Sequence, residues 1–148
     1  MRPDPSRVLF GVAGTLSKQL MTEAKSPFGG HLAGIAASLT GTLAVEIERI
    51  ADRLYRENKE LASLLAEAKP LVDDHLRERI GAAQGETNPP NLLVSTLVDA
   101  NDRLRALLID VHVVVESQPG DSARAMDARI WDELRESTRR RHIGIGAY

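Results

Sequence analysis

The chain contains no cysteine, which removes disulfides, thiol nucleophiles and thiolate-bound zinc in one step. Aromatic residues are only 3% of its 148 residues, so a core has to be built from Leu, Ile, Val and Ala, and the residue types that favour strands are scarce. Neither sign of charge dominates. The 19 basic and 21 acidic residues leave a net charge of −2, and no global field draws the chain to nucleic acid or to an anionic membrane. The phosphate-cradling patterns fail as well: the glycines of FGGHLAGIAAS (28–38) follow no strand and fit neither G-x-x-x-x-G-K-[ST] nor G-x-G-x-x-G. No serine stands in G-x-S-x-G.

What is present is helical periodicity. Leu43, Ile47, Ile50, Leu54, Leu61, Leu64 and Ala68 recur at spacings of four, three, four, seven, three and four, one apolar stripe on one face of a helix. The slot between Leu54 and Leu61 holds Glu57. A Leu- and Ala-rich chain with such stripes is expected to be all-α, an antiparallel bundle of four to five helices around one long central helix, in a single domain over 1–148.

In chain order, the first helix is expected from Ser6 to about Lys25, with Leu9, Val12, Ala13, Leu16 and Leu20 on one face. Arg2 and Arg7 before the apolar run Val8–Leu16 imitate a signal peptide, but Asp4, two prolines and the lack of an A-x-A site argue against one, which makes the cytoplasm the expected location. Phe28 to Val45 carries no formal charge beyond His31. Its glycines, Ser38, Thr40 and Thr42 dilute it below a membrane span, so a buried helix and no membrane partner are expected. Gly30, Gly34, Ala37 and Gly41 align the smallest side chains, which lets the first helix approach closely.

A second helix running from about His31 to Lys69 would be roughly 58 Å long, more than a domain of this size covers. It is therefore expected either to kink at Thr40-Gly41-Thr42 or to be covered by a second subunit. A short third helix carries Val72, Leu76 and Ile80 and stops at Gly81; GETNPP (85–90) is a loop. The fourth, from about Asn91 to Glu116, sets Val94, Leu97, Asn101, Leu104, Leu108, Val111 and Val115 at alternating three and four, a coiled-coil-like seam with one asparagine. A fifth offers Met126, Ile130, Trp131 and Leu134 and ends in Arg139-Arg140-Arg141-His142, with IGIGAY as a loose or docked tail.

Metal signatures are missing. None of the four histidines has an acidic residue three positions before it, and no two stand four apart. Looser metal candidates are His112 with Glu116 on the fourth helix and His75 beside Asp73 and Asp74 on the third. The polar seam residues Glu57 and Asn101, with His112, are candidates for a ligand held in the core. Ala37, Gly41, Ile47 and Ile50 match the spacing of a helix-turn-helix, while Glu46 and Glu48 oppose the phosphate contacts it would need.

The leading expectation is a non-catalytic bundle with no cofactor that acts through protein–protein contacts as a homodimer. The interface is expected along the second or fourth helix, at Gly34, Gly41, Ile47, Leu54, Asn101 and Leu108. The alternatives are a bundle, whether enzyme or binding protein, that holds a small ligand or metal in its core, and a helix-turn-helix DNA-binding regulator.

Overall fold

The computed structural model describes residues 4–142, and the IGIGAY tail lies outside them. The described residues form an all-α protein with no strand. Helix α1 (Pro5–Thr15) continues through one π turn, Leu16–Leu20, into a last α turn, Met21–Glu23. Asp4 rather than Ser6 is the N-cap. Its carboxylate accepts from the backbone N–H groups of Ser6 and Arg7 and from the Ser6 hydroxyl, which together with Pro5 in the first turn fixes the start. Helix α2 is Pro27–Ala68, 42 residues, or about 63 Å. It begins four residues before the expected start because the Ser26 hydroxyl accepts from the Gly29 N–H at 3.1 Å, and Gly29 and Gly30 are absorbed into its first turns.

A 3₁₀ turn at Lys69–Leu71 takes up Pro70. Helix α3 (Asp74–Ala83) is capped by Asp73, which accepts from the Leu76 N–H at 2.8 Å. Its end passes through Gly81 into a 3₁₀ turn, Gln84–Thr87. Helices α4 (Val94–Ser117) and α5 (Asp121–Arg141) follow. Between them Gly120 sits at φ +114°, a conformation that a side chain would strain.

The described residues fall into two compact units, one reaching to Ile50 and one from Ala51 to His142. In the second, the C-terminal half of α2 packs with α3, α4 and α5 around Leu61, Leu65, Ile80, Leu104, Val111 and Ile130, each with at most 1% of its surface exposed. The α4 seam is buried from Leu97 to Val115, as its spacing demands, while Val94 at its start is 37% exposed. Trp131, expected in the core, is 47% exposed, because Ile130 takes the inward position of α5. Side-chain amides reinforce the packing: Gln84 donates to the Ala62 carbonyl at 3.0 Å and Gln118 to the Leu71 carbonyl at 2.6 Å.

The first unit is built the other way round. Ala37, Gly41 and Ala44 are buried and Gly30 and Gly34 half-buried, while Phe28, Leu32, Ile35, Leu39, Leu43 and Ile47 are 45–71% exposed. Helix α1 buries only Ser6, and Val8, Phe10, Val12, Leu20 and Met21 on it are 41–51% exposed. Pro27–Leu71 is, by length and composition, apolar enough to cross a membrane, with mean hydropathy 1.3 over its most apolar window.

The small-residue line of α2 does meet α1. A Cβ at Gly30 would lie 3.2 Å from the Met21 carbonyl oxygen, which is backbone and cannot give, whereas one at Gly34 would meet only the flexible Met21 Sδ at 3.4 Å. Removing a mid-helix glycine gains up to about 1 kcal/mol. Gly34→Ala should therefore raise the melting temperature, and Gly30→Ala should fail to raise it or lower it. Thermal unfolding followed by circular dichroism checks the pair, and equal gains at both positions would mean that α1 does not pack on this line.

Candidate functional site

The polar residues that interrupt the seams come together in the Ala51–His142 unit. Glu57 and Asn58 on α2, Asn101 on α4 and Ser137 on α5 are all buried, Glu57 completely. Glu57 occupies an inward position because it falls on the stripe between Leu54 and Leu61, and Asn101 because it falls on the α4 seam. Arg105, one turn after Asn101, and Arg141, one turn after Ser137, reach in from the partly exposed rim of the same cluster.

Each of the four buried polar side chains has a partner. The Glu57 carboxylate accepts from Arg105, from the Ser137 hydroxyl at 2.8 Å and from Arg141 at 3.0 and 3.1 Å. The Asn101 carbonyl accepts from Arg105 Nε at 2.9 Å and from Arg141 at 3.2 Å. Its amide donates to Asn58 Oδ1 at 2.8 Å, and the Asn58 amide in turn donates to the Leu97 carbonyl at 3.0 Å. Three helices are thereby joined through one carboxylate. Burial pushes the Glu57 carboxyl up, but the Ser137 hydroxyl and the Arg105 hydrogen bond, together with the charges of Arg105 and Arg141, outweigh it and hold it below its ordinary value of 4.5.

This chemistry is that of a fastener. Ser137 donates to a carboxylate whose basicity two guanidinium groups have lowered, and the group it faces is an arginine rather than a histidine, so nothing here draws off the hydroxyl proton. Alongside lies an acidic groove. Arg140 pairs with Glu60, Glu133 and Glu136, and the Glu133 carboxyl is raised, first by burial and further by Glu60 and Glu57 against the pull of Arg140.

The remaining candidates separate. His112 Nε2 bonds Asp127 at 2.7 Å and its ring meets Trp131 edge-on at 5.5 Å. Glu116 and His75 are exposed, and among the described residues no three metal-binding side chains gather. Asp73 is spent on the α3 cap and Asp74 pairs with Arg77. Of the residues expected at an interface, Leu54, Asn101 and Leu108 are buried within the chain's own 51–142 unit, and Gly41 is buried too. Those four are not open to a second copy; Ile47 is exposed and Gly34 half-buried. Asn101 finds its amide and carbonyl partners inside one chain, which removes the need for a second asparagine across a two-fold axis. The segment holding Ala37, Gly41, Ile47 and Ile50 is uninterrupted helix, so the turn that a helix-turn-helix requires at Gly41 does not form.

Asn58, Arg105, Ser137 and Arg141 were not singled out by the sequence. The four-residue steps Asn101–Arg105 and Ser137–Arg141 were a usable signal, since each places a donor one turn from a buried polar residue. No protein-family model, no curated protein and no solved structure matches the chain.

The network sets two expectations. Asn101→Leu leaves Arg105 Nε and the Asn58 Oδ1 without a partner and should cost about 1–3 kcal/mol in urea unfolding; a gain in stability would mean the cluster is dispensable. Glu57→Gln tests the charge. Because the folded carboxyl lies below 4.5, its stabilisation is complete above that value and is lost as the pH falls through the folded value. The stability gap between wild type and Glu57→Gln should be widest near neutral pH and close on acidification. A gap independent of pH would refute the ion-pair role.

Proposed function

We propose that the chain is a non-catalytic helical protein that works through protein–protein contacts, as a homodimer joined on the N-terminal half of α2. The observation that carries this reading is the fate of a single stripe. Phe28, Leu32, Ile35, Leu39, Leu43, Ile47, Ile50, Leu54, Leu61, Leu65 and Ala68 follow one another at steps of three, four or seven along one uninterrupted helix. From Leu54 onward the stripe is buried, whereas from Phe28 to Ile47 its large side chains stand in solvent. Apolar surface of this extent on one face marks a contact site, and a partner helix there supplies what α3 to α5 supply further on.

The fully partnered Glu57 cluster belongs to the same reading. It spends the polar residues of the bundle on holding three helices together, which makes that unit a scaffold rather than a reaction centre.

Light scattering of the purified chain should give a mass near twice 16.2 kDa, and Leu39→Glu, at an exposed position, should return it to the single mass with its helix content unchanged. A wild-type chain that stays monomeric at tens of micromolar would overturn the reading.

A further inference from the structure

The six exposed side chains of the α2 stripe offer on the order of 500 Å² a protomer, short of the ~800 Å² a side that a standard stable interface buries. The shortfall is met within the same unit. Helix α1 exposes Val8, Val12 and Leu20 by 46–51%, and their contribution raises the available apolar surface to about the 800 Å² of a standard interface. The lengths agree as well. From Pro5 to Glu23 the helix is about 28 Å long, and the stripe from Phe28 to Ile47 about 29 Å.

Resting on the dimer reading, we propose that α1 of each copy lies along the exposed α2 stripe of the other, so that the two N-terminal units form one reciprocal four-helix contact. Leu9, Ala13 and Leu16 of α1 are half-buried in their own chain, and the apolar side chains left exposed beside them gain burial only from outside. A lipid bilayer would also cover apolar surface, but Lys18, Glu23 and His31 are exposed among these same residues and are costly in hydrocarbon. At a contact in water they remain solvated at the rim.

The absence of cysteine makes the test direct. Full-length Val12→Cys and Leu39→Cys chains are prepared separately, mixed in equal amounts, allowed to exchange and oxidised, with Arg56→Cys, at an exposed site on the other unit, as the measure of random collision. The mixed Val12→Cys/Leu39→Cys disulfide should form at least tenfold more than any disulfide with the Arg56→Cys chain, and more than either variant forms with itself. Efficient linking of Leu39→Cys to itself without the mixed product would place stripe against stripe and overturn the α1 exchange while leaving the dimer standing. A dimeric mass with no disulfide above the collision level would overturn it too. A monomeric mass in solution, with the wild-type chain floating on anionic phospholipid vesicles, would overturn both readings and assign the face to lipid.

Discussion

A carboxylate with no exposed surface, Glu57, is the constraint to which the bundle of residues 51–142 is fitted. Taking its charge out of water costs several kcal/mol, and the fold recovers this only by bringing Arg105 from α4, and Ser137 and Arg141 from α5, to the same two oxygens. Those donors fix the depth of α5 against α2, and Asn101, bonded to Arg105 and to Asn58, fixes α4 in the same register. The apolar layers beyond Leu61 resist a one-turn slip through misfit of their shapes. The polar layer adds a separate penalty, because such a slip would leave a buried carboxylate without its cations.

The same logic explains how a cluster of a serine, a carboxylate and two arginines serves to fasten helices together. Reactivity needs a group whose protonation is poised near the working pH or a donor left without a partner. Here Glu57 is held in its ionised form, and Ser137, Arg105 and Arg141 all donate to it. Glu133, whose carboxyl burial pushes above its ordinary value, lies in the acidic groove facing Arg140, where its pairing is again internal.

Much of this was legible in the sequence. The α4 seam, read from alternate steps of three and four, is buried from Leu97 to Val115, and Glu57 and Asn101 were recognisable as polar residues at apolar positions. Their partners were harder to see. Arg141 belongs to a run of three arginines that reads as a solvated helix end, and nothing local distinguishes the arginine that turns inward, since the choice depends on where α2 lies. Trp131 was misplaced because Ile130 and Trp131 are adjacent and only one can point inward; Ile130, the more compact, takes the core. The Ser26 cap moved the start of α2 across two glycines that composition alone reads as loop, and an uninterrupted helix through Gly41 cancelled the turn on which a DNA-binding reading depended.

The long helix carries one apolar stripe past two kinds of neighbour. Beyond Leu54 its large side chains face α3 to α5 and are hidden; before Ile47 the side hidden is the one with Gly30, Gly34, Ala37, Gly41 and Ala44. Small residues permit close approach but bury little area per contact, so a pairing of α1 with that line yields little hydrophobic stabilisation by itself. Had the N-terminal segment evolved to stand alone in water, the economical arrangement would turn Phe28, Leu32, Ile35 and Leu39 toward α1 and leave the small and polar residues outside. The opposite arrangement commits the close-fitting face to the chain's own helix and reserves the large, adhesive face for something else. An isolated α1–α2 pair therefore leaves its large apolar side chains in solvent, whereas the 51–142 bundle hides its own.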